Sequence, residues 1–221
     1  MLRVLSLAIV LVMTACSGSE PMETSPVVRS DPAAVAADWL QAVAEVDGPA
    51  LTQLVEPGGL AVIAGVETNL RSAELVSLLQ SGMSDDLLAE YWLQFRDDFA
   101  VFSGTTVSDL KVGEPAPLGA AGFTAVALRG GNGSGHVILR QTDAGWQVDF
   151  PATIGPSLIG PLGQYLTSAV DGDNAGLIAA AYRDFVTPGL DAALSLDPAN
   201  ARLEFEAEYI RQLAESVPPS P

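Results

Sequence analysis

Residues 122–150, with the sequence GFTAVALRGGNGSGHVILRQTDAGWQVDF, predict an antiparallel β-sheet. Alternate side chains of a strand point to opposite faces, and the large apolar residues Trp146, Val148 and Phe150 occupy every second position at the end of this stretch. The earlier segments are apolar at most positions, as strands buried on both faces are. We therefore expect two strands joined by a glycine-rich turn, then a turn at residues 142–145 and a closing strand.

Helix signals precede this sheet. At Asp31 and Pro32 an N-cap acid is followed by proline at the first helical position, which is typical of a helix start. Ser84 begins a second helix, whose apolar residues recur at helical spacing. Between this helix and the sheet, the sequence predicts a strand at residues 107–112 and a loop at residues 114–121.

The composition changes after Phe150. Residues 151–161 are rich in proline and glycine, which predicts an irregular segment. Three segments with apolar residues at helical spacing follow, and we expect them to be helices. Pro188 is expected to kink or split the middle one. The fold class predicted from the whole pattern is α+β, with N-terminal helices packed on an antiparallel sheet and a helical C-terminal extension.

The N-terminus resembles the signal peptide of bacterial lipoproteins. Residues 4–15 form an apolar run that is too short to span a bilayer but long enough for a secretion signal. The run ends at Ala15, a small residue before Cys16, which is the only cysteine in the chain. The resemblance implies that Cys16 is lipidated and anchors an extracytoplasmic protein to the membrane. The alternative is an ordinary cleaved signal with Cys16 nearby by chance.

These signals divide the chain into four parts. Residues 1–15 are the expected signal peptide, and residues 16–30 a lipidated tether rich in Ser, Pro, Glu and Thr. Residues 31–150 form the expected α+β domain, and residues 151–221 the helical C-terminal extension.

Composition excludes several classes of function. The formal net charge of −17 disfavours binding to nucleic acid, whose phosphates would be repelled. With one cysteine and one histidine, the chain cannot assemble a Cys/His zinc site, a haem ligand set or an iron–sulfur cluster. We expect no metal and no cofactor.

His136 is the one candidate for acid/base chemistry. A histidine beside a pocket acid such as Asp149 or Asp38 could act as a general base, as isomerases and dehydratases require. The alternative is that His136, which follows a glycine-rich loop, is exposed or bonded to backbone.

Aromatic residues are candidates for a ligand-binding wall. The helix after Ser84 places its apolar residues in a wide stripe. This stripe either contacts a ligand or simply packs on the sheet. The candidate ligand-binding residues are Trp39, Tyr91, Trp92, Phe95 and Trp146.

The order of these elements resembles a known superfamily. An Asp-Pro-capped helix containing Ala-Asp-Trp-Leu at residues 37–40, an Asp-Gly break, further helices and a last strand GWQVDF at residues 145–150 are similar to nuclear transport factor 2-like (SnoaL-like) domains. The resemblance implies a curved sheet wrapped on helices as a cone with an apolar pocket. The extension after Phe150 departs from that pattern, and it could cap the cone or close the pocket.

Three functions are compatible with the sequence. The first is a lipid-anchored, non-enzymatic domain that binds an envelope partner or a small apolar ligand. The second is an acid/base enzyme of the dehydratase or isomerase type. The third is a structural envelope protein whose acidic surface keeps it soluble. Superfamily resemblance does not decide among them, because one fold supports many functions.

We predict that replacing Cys16→Ser in the full-length chain abolishes membrane attachment. Two or three acyl chains hold a protein on a bilayer, whereas a chain without them has no anchor. The measurement is partitioning into Triton X-114, with mass spectrometry of the N-terminal peptide. The wild type should enter the detergent phase with an acylated Cys16, as should the neighbouring control Ser17→Ala. A mature wild type without acyl chains would disprove the anchor.

Overall fold

The computed structural model describes residues 29–130 and 133–218. Within these ranges the protein has an α+β fold built on a four-stranded antiparallel sheet. The predicted signal peptide, the lipidation site Cys16 and the tether as far as residue 28 lie outside the described residues, so those predictions stay untested.

Five helices precede the sheet, and they are α1 (Pro32–Glu45), α2 (Gly48–Leu54), α3 (Pro57–Glu67), α4 (Ser72–Ser81) and α5 (Asp85–Ser103). The strands are β1 (Lys111–Pro117), β2 (Phe123–Gly130), β3 (Gly133–Thr142) and β4 (Gly145–Val148). The helices after the sheet are α6 (Phe150–Ile154), α7 (Ile159–Ala169), α8 (Ala175–Ala181), α9 (Thr187–Leu196) and α10 (Ala201–Ser216).

The predicted helix starts are confirmed. The carboxylate of Asp31 accepts a hydrogen bond from the Ala33 amide at 3.0 Å at the start of α1. The hydroxyl of Ser84 accepts one from the Leu87 amide at 3.3 Å at the start of α5. Each side chain satisfies an amide that has no partner within its own helix.

The sheet is a meander with strand order β1-β2-β3-β4, and each neighbouring pair is antiparallel. The pairing of β2 with β3 and of β3 with β4 confirms the strands and the turn at residues 142–145 predicted there. The strand before β2 was predicted with the wrong bounds. Residues 107–109 form a 3₁₀ turn, and the strand lies at Lys111–Pro117, so it overlaps the predicted strand only at residues 111–112 and extends into the predicted loop. Pro115 and Pro117 are tolerated because β1 is an edge strand.

The predicted closing strand is too long, because β4 ends at Val148. Asp149 caps α6 through a hydrogen bond from the Ala152 amide at 2.8 Å, and Phe150 is already helical. Asp149 and Phe150 therefore do not continue the strand alternation. The following Pro/Gly-rich segment is helical as well, contrary to the prediction of an irregular stretch.

The helices after the sheet pack into the same core as those before it. Buried residues of α1, α3, the sheet and α6–α10 form one continuous hydrophobic cluster. A π-turn at Tyr182–Val186 joins α8 to α9, and its buried Tyr182 hydroxyl donates to the Leu162 carbonyl of α7 at 2.9 Å. Pro188 lies in the first turn of α9, just after this π-turn, and does not interrupt the helical residues between Ala175 and Leu196.

Candidate functional site

An apolar cavity of about 240 Å³ lies between the helices and the sheet. Its walls come from α1, α5, β2, β3, α6 and the segment around the 3₁₀ turn. The large apolar side chains that line it include Trp39, Leu40, Phe95, Phe99, Leu128 and Ile154.

Strand register shows which sheet residues face this cavity. Leu128 of β2 lies directly opposite Gly135 of β3, and both line the cavity. Residues directly opposite in an antiparallel pair share a face of the sheet. A side chain introduced at residue 135 would therefore lie on the face of the sheet that lines the cavity. A Cβ atom at this position would have no other atom within 4 Å.

His136 borders the cavity, but its side chain belongs to the other face of the sheet. It pairs with Ala127, one residue out of phase with Leu128 and Gly135. The residue is exposed to solvent. His136 is thus an exposed residue in β3, three residues after the strand begins.

The two acids proposed as partners of His136 lie elsewhere. Asp38 is exposed on α1, and Asp149 is buried at the start of α6 with 1% of its surface accessible. Neither residue lines the cavity that His136 borders. The structure therefore does not bring the three candidate catalytic residues together in one pocket.

The aromatic candidates for ligand binding separate into three groups. Trp39 and Phe95 line the cavity. Tyr91 lines a different cleft that adjoins the cavity along α5, and Phe95 borders that cleft as well. Trp92 is fully buried, and Trp146 is half-buried in β4, where its amide donates to the Arg29 carbonyl at 2.9 Å; neither lines a cavity or cleft described here.

Trp92 has a structural role at the centre of an aromatic cluster. Its ring lies 5.2 Å from Phe150 and 5.4 Å from Phe95, and both pairs meet edge to face. The rings of Phe95 and Phe150 are 5.6 Å apart. Edge-to-face pairs of this kind stabilise a core beyond the area that they bury. The cluster fixes the side of α5 that forms the cavity wall.

Two buried acids meet where the sheet ends. The Glu56 amide donates to the Val148 carbonyl at 3.0 Å, and the Asp149 amide donates to the Ile138 carbonyl at 2.9 Å. The Glu56 carboxylate caps α3 by accepting bonds from the amides of the next two glycines, at 2.8 Å and 2.6 Å. Gly189 of α9 lies so close that a Cβ there would be 2.7 Å from Asp149 Oδ1.

Burial raises the pKa of Asp149 to about 7. The bond from the Ala152 amide and the charge of Arg140 lower this pKa, and the charge of Glu56 raises it. Within the described ranges, Asp149 Oδ2 is buried and has no hydrogen-bond partner. A carboxyl group in this environment gains a proton more readily than a solvated one.

Sequence reasoning missed Glu56 and assigned Asp149 to the wrong element, although both carried a usable signal. Glu56 stands directly before Pro57, and Asp149 stands two residues before Pro151. An acid followed by proline is the same start signal that identified α1 at Asp31. The burial of Asp149 had no such local signal, because it depends on Gly189 of α9 packing against its carboxyl group.

No protein-family model, curated protein or solved structure matches the chain. Within residues 29–130 and 133–218, no three His, Cys, Asp or Glu side chains are grouped to hold a metal ion. None of the helices in this described part of the chain has the length and apolar character needed to cross a membrane.

We predict that Asp149 makes stability depend on pH in a way that Asp149→Asn removes. The folded protein holds this proton more tightly than the unfolded chain, in which the pKa is near its ordinary value of 3.8. The contribution of Asp149 to the free energy of unfolding is therefore fully present below about pH 4 and is lost as the pH rises through 7. The free energy of unfolding should fall by up to about 4 kcal/mol over this range.

The measurement is urea unfolding of the wild type and Asp149→Asn from pH 4 to pH 8.5. Asparagine keeps the helix cap but does not titrate, so the stability difference between the two proteins should change with pH. Asp47→Asn, the same change at the exposed cap of α2, is the matched control. A difference whose pH dependence is no larger than that of the control would contradict the prediction.

Proposed function

We propose that the protein is a lipid-anchored, extracytoplasmic, non-enzymatic domain that binds a small apolar ligand. The observation that carries this proposal is the cavity of about 240 Å³ beneath α1 and α5. A concave apolar site of this kind favours a small ligand over an envelope protein partner, which needs a broad surface. A filled core would have favoured the purely structural role.

Two of the hydroxyls that line the cavity are bonded within the protein, which supports an apolar ligand. The Thr153 hydroxyl donates to the Asp149 carbonyl at 2.8 Å and accepts from the Ile138 amide at 3.0 Å. The Ser103 hydroxyl donates to the Phe99 carbonyl at 2.6 Å. These hydroxyls are committed to the protein itself, so the ligand would be held mainly by apolar contact.

The size of the cavity limits the ligand. An apolar cavity of about 150 Å³ is known to accept benzene. A volume of about 240 Å³ therefore suits a molecule with roughly two fused rings or a short branched chain.

The cone-shaped arrangement implied by the superfamily resemblance is part of this proposal, with the cavity as its pocket. The lipid on Cys16 would hold the domain at the outer face of the cell membrane. The acid/base alternative is less well supported, because His136, Asp38 and Asp149 do not share a pocket.

We predict that the mature protein binds 1-fluoronaphthalene saturably and that Gly135→Leu weakens this binding at least tenfold. The leucine side chain would occupy the cavity from a strand position where a Cβ meets nothing within 4 Å. The measurement is a ¹⁹F NMR titration of the ligand.

Gly48→Leu is the matched control, because it adds the same side chain where a Cβ also meets nothing within 4 Å, outside the cavity. Its affinity should stay within about twofold of the wild type. Absence of saturable binding to the wild type, or equal binding to Gly135→Leu, would refute the proposed ligand site.

A further inference from the structure

A second, larger cleft adjoins the apolar cavity along α5. Its volume is about 630 Å³, and it opens between α5, the end of α3 and the segment that joins α6 to α7. Phe95, Phe99 and Ile154 line both this cleft and the apolar cavity. We call it the α5 cleft.

The α5 cleft contains two acids, Glu67 and Asp98, and both residues are exposed to solvent. The Tyr91 hydroxyl donates to Glu67 Oε2 at 2.7 Å and so fixes the direction of that carboxyl group. Partial burial of the carboxyl group raises the pKa of Glu67, the bond from Tyr91 lowers it, and the charge of Asp98 raises it again. The negative charges of Glu67 and Asp98 therefore repel each other within one cleft.

Among the residues that the structure describes, no cationic side chain compensates these acids. In the described part of the chain, no Arg, Lys or His lines the cleft, and neither acid forms an ion pair. The nearest arginine in sequence, Arg96, is paired with Asp97 at 2.9 Å. The cleft therefore favours a positively charged occupant.

Aromatic rings supply the rest of the wall. Tyr91, Phe95, Phe99 and Phe102 follow one another along α5 at helical spacing. Phe102 is 87% exposed although it is a large apolar side chain at the edge of the cleft. Aromatic faces attract cations, most strongly those whose charge is poorly hydrated.

We propose that the α5 cleft binds an organic cation, namely an ammonium group attached to an apolar or aromatic body. The ammonium would lie near Glu67 and Asp98, and the body would pack on the rings of α5. A free metal ion would leave the aromatic wall unused, and an anion would be repelled by both carboxylates. This binding differs from that of the apolar ligand, because acids line the α5 cleft and no acid among the described residues lines the apolar cavity, although the two sites share Phe95, Phe99 and Ile154.

The test compares 2-phenylethylamine, a cation at pH 7, with 2-phenylethanol, its neutral analogue of similar shape. Both are titrated at low salt into the ¹⁵N-labelled mature protein, and amide chemical shifts are followed. The amine should bind at least about fivefold more tightly than the alcohol, with shifts concentrated in the last turn of α3, in α5 and in the α6–α7 segment.

Glu67→Gln should weaken binding of the amine about fivefold and leave binding of the alcohol within twofold. Glutamine keeps an oxygen that can accept the Tyr91 hydrogen bond, so the fold is preserved. Asp98→Asn is the second variant, with a similar effect expected. Glu90→Gln, on the exposed side of α5 and outside the cleft, is the matched control and should change neither affinity more than twofold.

Equal affinity of the wild type for amine and alcohol would overturn the proposal. So would an equal effect of Glu67→Gln and Glu90→Gln on amine binding, since the surface charge alone would then explain it. Binding of 1-fluoronaphthalene tests a different site, and its failure would leave this result unchanged.

Discussion

The turn at Asp149 is the constraint on which the rest of the structure depends. There the sheet ends and α6 begins, because the Asp149 carboxylate caps α6 while its amide bonds to the Ile138 carbonyl of β3. Phe150 follows directly and enters the aromatic cluster with Trp92, and Gly189 of α9 closes over the carboxyl group. One short segment thus joins the sheet, α5 and the C-terminal helices, at the cost of burying a carboxyl group that would be more stable in water.

Helix α5 lines two sites of different character. Although it has 19 residues, only Leu88 and Trp92 are buried on it. Its half-buried rings line an apolar cavity and an adjoining cleft with two carboxylates, and Phe95 and Phe99 line both. Because α6 supplies Ile154 to both sites, the position of α6 after Asp149 sets the shape of each. A shift of α5 in response to one ligand would therefore change the wall of the other site.

Local signals predicted the parts of the fold that depend on neighbouring residues. The helix caps at Asp31 and Ser84 follow from the hydrogen-bonding chemistry of these side chains. Strands β2 and β3 follow from the pattern of apolar residues over a few positions. The edge strand β1 was predicted with the wrong bounds, at residues 107–112, and its continuation through Pro115 and Pro117 is permitted only by its position at the sheet edge. Trp39 and Phe95 were recognised as candidate ligand contacts from aromatic pattern alone. The pairing of Tyr91 with Glu67 joins residues 24 apart in sequence, and no local pattern predicts it.

The most direct test of the proposed binding function is to identify what the protein carries from its own host. Wild type and Gly135→Leu would be purified side by side, and their solvent extracts compared by liquid chromatography and mass spectrometry. We expect a small apolar compound that fits the cavity of about 240 Å³. This compound should be enriched in the wild-type extract and depleted in the extract of the variant. Identical extracts from the two proteins would contradict a resident ligand in the cavity.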